Sequence, residues 1–133
     1  MSLASIFFRK SVGALLVYDV ACMKSFQDCE KWYQQILQHA NSRVVIMLIG
    51  NKKDKDTREV PYNTALEYAL TNNFGYMEVS ARHGLGIKEA TNLLVSQIYK
   101  SILAEQKETP RDSDKNGRAL PSRDDMGSFH VRT

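Results

Sequence analysis

Two stretches of the chain are almost unbroken runs of apolar residues, at positions 14–20 and 44–49. Runs without polar alternation are typical of strands that are buried on both faces, as in a parallel sheet covered by helices on each side. A weaker run at positions 76–79 predicts a further strand. The pattern therefore predicts a sheet of three strands whose faces need helical cover.

Apolar residues recur at helical spacing between these runs. The first predicted helix follows residues 14–20, and its inward face would be made of Phe26, Cys29, Trp32, Tyr33, Ile36 and Leu37. Ser25 and Asp28 are placed like a capping pair at its start. A second helix is predicted to begin near Pro61, which suits a first helical turn, and to end at Asn72-Asn73 and Gly75.

A third helix is predicted over residues 87–104, with Ile87, Ala90, Leu94, Ile98 and Ile102 directed inward. The order of strand, helix, strand, helix, strand, helix predicts an α/β fold, a parallel sheet with helices on both faces. From residue 107 onward, Pro, Gly, Asp and Ser replace the apolar pattern. We therefore expect one domain over residues 1–106 and a flexible hydrophilic tail over residues 107–133.

Composition, charge and hydropathy exclude several classes of function. The chain of 133 residues is 43% hydrophobic and 25% charged, which is an ordinary globular balance. Its net charge of +3 is not concentrated in any segment, so no nucleic-acid partner is predicted. No membrane span or signal peptide is recognisable, and we expect a cytoplasmic location. Cys22 and Cys29 lie seven residues apart and are expected to be reduced thiols.

Ligands in an open α/β sheet bind beyond the carboxyl ends of the strands. The second predicted strand is followed by Asn51-Lys52-Lys53-Asp54, and the third by Ser80-Ala81-Arg82. Guanine presents an acceptor edge at O6 and N7 and a donor edge at N1–H and N2–H₂. A protein that reads both edges needs amide or backbone donors and a carboxylate acceptor. The side chains of Asn51 and Asp54 and the backbone N–H of Ala81 have that chemistry.

These two segments resemble the N-K-x-D and S-A-K motifs of the Ras superfamily of small GTPases. The chain looks most like the Rab branch, because Phe7-Phe8-Arg9 and the segment VGALLVYD at 12–19 match the pattern Y-Y-R-x-x-x-G-x-L-L-V-Y-D. Arg58-Glu59-Val60 resembles the R-x-V that precedes the next helix of that branch. The resemblance covers residues 2–104 and implies a partial P-loop NTPase fold of the Ras-like kind, here with about three strands and three helices.

The resemblance implies a site for the guanine base of GTP or GDP. Asn51 would bond the O6/N7 edge, and Asp54 would bond the N1/N2 edge. The aliphatic stem of Lys52 would cover the base and the ribose. On its own an N-K-x-D string is a weak signal, because Asn, Lys and Asp are common turn residues and residues 51–59 could be a solvated charged loop. The order and spacing of the motifs together favour the guanine site.

The second motif would complete this site, again by resemblance. Ser80 would brace the loop, and the backbone of Ala81 would reach O6. Arg82 replaces the usual Lys; it keeps a cation and a long stem that can stack on the base, although the two side chains are not interchangeable. His39 and His83 have no paired carboxylate or cysteine pattern in the sequence, so no metal-binding or catalytic role is predicted for them.

The phosphate half of such a site has no counterpart in these motifs. Phosphoryl transfer in this class needs a Gly-rich loop, its Lys, a Ser or Thr on Mg²⁺ and a residue that orients water. No Gly of the chain is followed directly by Lys, and no D-x-x-G or switch threonine precedes Asn51. The complete family fold implies Mg²⁺, but no ligands for it are predicted here. We therefore expect the C-terminal part of a Rab-like G domain, without catalytic residues and without GTP hydrolysis.

Three functional hypotheses follow. The leading one is a Rab-like small GTPase segment, involved in vesicle trafficking, that keeps the guanine-recognition half. The second is a non-enzymatic interaction module that engages Rab regulators or effectors through the uncovered edge of strand 14–20 or through the aromatic helix, although aromatic residues at that spacing are more often core. The third is a fragment that does not fold. No cysteine follows Cys29, so no prenyl membrane anchor is expected.

Overall fold

The computed structural model describes residues 3–108 of the chain. Seven elements follow one another: α1 (Leu3–Phe8), β1 (Gly13–Asp19), α2 (Met23–His39), β2 (Val45–Asn51), α3 (Tyr62–Thr71), β3 (Gly75–Glu78) and α4 (Ile87–Glu108). The three strands form one parallel sheet in the order β1-β2-β3. The predicted α/β class is confirmed, and the short helix α1 is an addition to it. The predicted tail lies outside the described residues from position 109 onward, and α4 extends to Glu108 instead of ending near 104.

The register of the sheet places the ends of β1 and β2 side by side. β1 pairs with β2 over seven residues, from Gly13 opposite Val45 to Asp19 opposite Asn51. The shorter β3 pairs with the later part of β2, ending with Gly50 opposite Glu78. All three strands therefore end at the same edge, where the candidate loops begin.

The larger core lies on the face of the sheet that α2 and α3 cover. Four strand residues, Leu16, Tyr18, Ile46 and Leu48, and Val20 directly after β1 form this core together with Cys29, Ile36, Ala65, Ala69 and Phe74. A chain of edge-to-face rings runs through this layer, with centroids 5.1 Å apart for Tyr18–Phe26 and 5.6 Å apart for Phe26–Tyr68. Such ring pairs add stabilisation beyond their buried area.

Two residues of the predicted inward face of α2 are exposed instead. Trp32 is 57% exposed and Leu37 is 55% exposed. At 100° per residue, Trp32 lies about 80° from the mean direction of the core-facing residues of α2. The indole of Trp32 thus lies on the side of α2 and not on the face that packs against the sheet. Leu37 lies in the last turn of the helix.

The second face of the sheet has α4 as its only cover among the described residues. Met47, Ile49, Val79 and Ala90 form a small cluster there. The predicted burial of β1 on both faces is wrong, because Leu15 and Val17 are 47% and 55% exposed on this side. A single helix is too narrow to cover three strands.

The predicted inward face of α4 is only partly confirmed, because not all of its residues are buried against the sheet. Ala90 is buried, and Leu94 and Ile98 lie over Gly13, whose position could not take a Cβ without meeting Ile98 Cδ1 at 2.6 Å. Ile87 and Ile102 are 41% and 43% exposed. The inward face is therefore narrower than the sequence pattern indicates.

The predicted Ser25–Asp28 capping pair at the start of α2 is wrong. The N-cap residue is Cys22, which makes no side-chain cap bond. Ser25 Oγ donates to the carbonyl of Cys22 at 2.7 Å and accepts the Asp19 N–H at 2.9 Å. Asp28 pairs with Lys24 and Lys31 on the exposed surface. Ser25 thus ties the end of β1 to the first turn of α2.

The second predicted helix is confirmed at both ends. α3 has Pro61 as its N-cap and Asn72 as its C-cap. Asn73 then takes the left-handed conformation with φ 57°, which ends the helix before β3. Cys29 is buried and Cys22 is half-buried, and both are free thiols, as expected. Across residues 3–108, none of the helices combines the length and the apolar character needed to cross a bilayer.

We predict that Gly50→Ala destabilises the fold. A Cβ at Gly50 would lie 2.7 Å from Tyr18 Oη and 3.1 Å from Val20 Cγ1, and the Tyr18 hydroxyl is already held at 2.8 Å from that of Tyr76. Overpacking of this kind costs about 1–3 kcal/mol, which urea denaturation would measure. Gly75→Ala is the control, because its Cβ would meet nothing closer than 3.4 Å. Equal unfolding midpoints for the two variants would contradict the prediction.

Candidate functional site

The structure brings the two predicted loops together at the carboxyl edge of the sheet. The Lys53 N–H donates to the Val79 carbonyl at 3.1 Å, and the Val79 N–H donates to the Gly50 carbonyl at 2.8 Å. A backbone bridge between Ser80 and Leu85, with both N–O distances at 3.0 Å, closes the second loop on itself. Backbone hydrogen bonds therefore hold both loops, and they fix the backbone positions from which the side chains of the candidate site extend.

Asn51 is the last residue of β2, and its side chain joins the two loops. Its Oδ1 accepts the N–H of Ala81 at 3.0 Å. Because the amide oxygen is used in this way, the Asn51 NH₂ group remains as the donor that an acceptor edge of a ligand would need. The Ala81 N–H, predicted to reach a base oxygen, is engaged by Asn51 instead and would have to share that bond with a ligand.

Asp54 and Ser80 form the second link between the loops. Ser80 is fully buried, and its Oγ donates to Asp54 Oδ1 at 2.6 Å. This hydrogen bond is the main reason that the pKa of Asp54 lies below its ordinary value. Asp54 is therefore an ionised carboxylate at neutral pH, which can only accept hydrogen bonds.

Lys52 reaches across to the end of β1. Its backbone adopts the left-handed conformation with φ 64°, and its Nζ lies 2.7 Å from Asp19 Oδ2. Asp19 also accepts the Ala21 N–H at 2.9 Å, and Lys55 Nζ lies 3.7 Å from it. The hydrogen bond from Lys52 lowers the pKa of Asp19. The four-carbon stem of Lys52 thus spans the gap between the ends of β2 and β1.

Sequence reasoning missed two residues at this edge. Asp19 follows an apolar strand, as Asn51 does, and that position was the signal that could have found it. His83, which was predicted to lack a carboxylate partner, has its Nε2 3.5 Å from Asp54 Oδ2. Arg82 is exposed beside them, and its charge contributes to the lowered pKa of Asp54.

A family model described as the Ras family matches residues 1–100. The chain belongs to the Ras family. The matched span includes every strand and both loops of the candidate site, so the small-GTPase resemblance of the N-K-x-D and S-A-K-like segments is confirmed at the level of the family. Ras-family membership implies guanine-nucleotide binding in general, which agrees with a site that offers an amide donor beside an ionised carboxylate. The D-x-x-G pattern, which does not occur before Asn51, does occur at positions 114–117 and 124–127 of the sequence. Both positions lie outside the described residues.

We predict that Ser80→Ala raises the pKa of Asp54 toward its ordinary value of 3.8, because the variant loses the hydrogen bond that favours the carboxylate. A lowered pKa contributes stability that is present above the unfolded value and is lost as pH falls through the folded value. The variant lacks this contribution at neutral pH, so its stability should fall less steeply than that of the unmodified chain as pH drops through the unfolded value. Carboxyl ¹³C shifts of Asp54 against pH measure the change.

Ser42→Ala is the matched control, because Ser42 is exposed and bonds only to its neighbour Asn41 at 3.4 Å. Its Asp54 titration curve should overlay that of the unmodified chain. An unchanged Asp54 titration in Ser80→Ala would show that the Ser80 hydroxyl does not set the charge state of this carboxylate.

Proposed function

We propose that this Ras-family domain recognises the guanine base of GDP or GTP as part of a Rab-like small GTPase of vesicle trafficking. The observation that supports the proposal is the double link between the loops, Asn51 to Ala81 and Asp54 to Ser80. It places an amide donor and an ionised acceptor at one edge of the sheet. The proposed base-binding residues are Asn51, Lys52, Asp54, Ser80, Ala81 and Arg82.

The carboxylate of Asp54 provides the selectivity in this proposal. It accepts from N1–H and N2–H₂ of guanine, while the Asn51 NH₂ donates to the O6/N7 edge. Adenine offers an acceptor at N1, so Asp54 would face a lone pair and would lose its hydrogen bonds. A polar site that leaves its groups unpaired in this way discriminates by orders of magnitude.

Lys52 supplies the cover for the base. The ion pair with Asp19 at 2.7 Å holds the Lys52 side chain across the edge of the sheet, where its methylene groups can pack on a ring and its charged end stays solvated. Asp19 is thus a positioning residue for Lys52. The phosphate-binding Gly-rich loop has no match in the 133 residues, so the proposal is base recognition and does not include hydrolysis by these residues.

The test is calorimetric titration of the nucleotide-stripped chain with GDP, with ADP in parallel. Without phosphate contacts the expected dissociation constant is ~100 μM, which corresponds to about −5.5 kcal/mol. We predict that Asp54→Asn weakens GDP binding at least tenfold, because an amide presents a donor to the N1/N2 donor edge.

Asp56→Asn is the matched control, since it makes the same change on an exposed residue of the same loop. It should bind GDP like the unmodified chain. A folded chain that binds neither nucleotide, or binds both equally, would contradict the proposal, and unchanged affinity in Asp54→Asn would remove Asp54 from the site.

A second candidate function is a non-enzymatic interaction module for Rab regulators or effectors. The observation that favours it is the 57% exposure of Trp32 on α2, since exposed indoles are enriched among the residues that dominate protein interfaces. The neighbouring Lys31, also exposed, offers a control position.

We predict that Trp32→Ala weakens binding to purified Rab regulators or effectors by about 2 kcal/mol or more, without changing GDP affinity. Lys31→Ala should have a smaller effect. Biolayer interferometry against a panel of such proteins measures both. If no member of the panel binds, or if Trp32→Ala binds as tightly as the unmodified chain, this candidate function is lost.

A further inference from the structure

His83 brings a histidine to the carboxyl edge of the sheet, beside the candidate site. It follows β3 in the loop that Ser80 and Leu85 close with backbone hydrogen bonds. The other described histidine, His39, lies in the last turn of α2, at the opposite edge, where β2 begins. Histidine is the side chain whose charge ordinarily changes between about pH 5 and pH 8. Of the histidines within residues 3–108, only His83 can therefore bring such a change of charge to the site.

The loop holds the backbone of His83 in a tight turn. The His83 N–H donates to Ser80 Oγ at 3.4 Å, and the next residue, Gly84, donates its N–H to the Ala81 carbonyl at 3.3 Å. Gly84 has φ 66°, a left-handed conformation that glycine adopts at little cost. The turn fixes the position from which the imidazole of His83 extends toward Asp54.

The two carboxylate oxygens of Asp54 have different neighbours. Oδ1 accepts the hydroxyl of the fully buried Ser80 at 2.6 Å, whereas Oδ2 lies 3.5 Å from His83 Nε2. The side chain of Asp54 is 23% exposed and that of His83 is 54% exposed, so a ligand can reach the pair from solvent. Because Ser80 engages Oδ1, Oδ2 is the oxygen with more capacity left for a hydrogen bond from a base.

The charge of Asp54 itself is constant over the range in which a histidine titrates. The hydrogen bond from Ser80, and to a smaller extent the charges of His83 and Arg82, hold the pKa of Asp54 below its ordinary value. Within residues 3–108, Asp54 is the one carboxylate in ion-pair contact with the His83 imidazole.

The remaining charged groups near this contact also keep their charge. Lys, Arg and Glu side chains with ordinary pKa values do not titrate between about pH 5.5 and pH 8. The groups on the two loops and on the first turn of α4 are Lys53, Arg82, Lys88 and Glu89. The change of charge that Asp54 meets over this range therefore comes from His83.

We infer that protonation of His83 weakens guanine binding, because the imidazolium and the base compete for Oδ2 of the same carboxylate. With a neutral imidazole, the charge of Asp54 is available to N1–H and N2–H₂ of the base. With a charged imidazole, the base must displace the ion pair or share the carboxylate with it. The inference rests on the proposed base recognition and adds a dependence on pH to it.

The competition is reciprocal, and its size is limited by solvent. If protonation of His83 lowers the affinity for the base, the bound base disfavours the protonated imidazole by the same factor. His83 is more than half exposed, and a screened ion pair of this kind changes an equilibrium by about threefold. GDP binding should therefore be tighter above the histidine range than below it.

The experiment is calorimetric titration with GDP at about pH 5.5 and about pH 7.5, on either side of the ordinary histidine range. The 133-residue chain is compared with His83→Gln, whose side chain cannot gain a charge. The GDP phosphates also titrate in this range, so the deciding quantity is the ratio of the two affinities at each pH. From the higher to the lower pH, the unmodified chain should lose about threefold more affinity than the variant.

His39→Gln is the matched control, because it makes the same change at the opposite edge of the sheet. Its GDP affinity should follow pH as that of the unmodified chain does. The inference is overturned if the unmodified chain and His83→Gln show the same pH dependence. It is overturned as well if the unmodified chain gains affinity relative to the variant at the lower pH.

Proton release gives a second readout of the competition. At about pH 6.5, GDP binding should release a fraction of a proton from the unmodified chain beyond what it releases from His83→Gln. Titrations in two buffers of different ionisation enthalpy measure this difference. Equal proton release from the two chains would show that His83 does not compete with the base.

The carboxyl ¹³C shift of Asp54 tests the contact without GDP. In the free chain it should show a small step between about pH 5.5 and pH 8, as the neighbouring imidazole changes its charge, and His83→Gln should lack that step. GDP binding without the step would overturn this inference and leave base recognition intact. The step without GDP binding at either pH would overturn the proposed function, and this inference with it.

Discussion

Burial of β2 on both faces is the constraint on which the rest of the structure depends. Five consecutive residues of this strand, 46–50, are buried, and Leu48 is not exposed at all. Each such aliphatic side chain contributes about 1.5–3 kcal/mol through burial. A shift of one residue in register would turn the β2 residues of the larger core, Ile46 and Leu48, toward α4. The packing of these residues therefore fixes the position of Asn51 at the end of the strand.

The candidate site illustrates how this rigidity becomes chemistry. Asn51, Lys52 and Asp54 lie in one short segment at the end of β2, and each is held by a residue that is distant in sequence: Ala81 and Ser80 of the loop after β3, and Asp19 at the end of β1. These partners fix the amide orientation, the charge of the carboxylate and the path of the lysine stem. A site built in this way has little conformational freedom to lose when a ligand binds.

Much of this could be predicted from sequence, and the failures share a cause. The buried run of β2, the ends of α3 and the position of the two loops at the carboxyl edge depend on local patterns, and they were predicted correctly. The base-binding role of the loop residues stays a prediction. The exposure of Leu15 and Trp32, the role of Ser25 and the reach of Lys52 to Asp19 depend on which elements lie opposite them in space. Apolar periodicity shows that a residue can be buried, but it does not show whether a partner is wide enough to bury it.

The bond between Ser25 and Asp19 has a consequence for the growth of β structure. Because it uses the Asp19 amide on the side of β1 that faces away from β2, a strand that pairs along that side cannot extend its ladder to Asp19. At the opposite edge, β3 is only four residues long and is followed directly by the Ser80–Leu85 bridge. A ladder as short as that of β3 is a poor template for fibrillar stacking, so this margin of the sheet resists the addition of further strands.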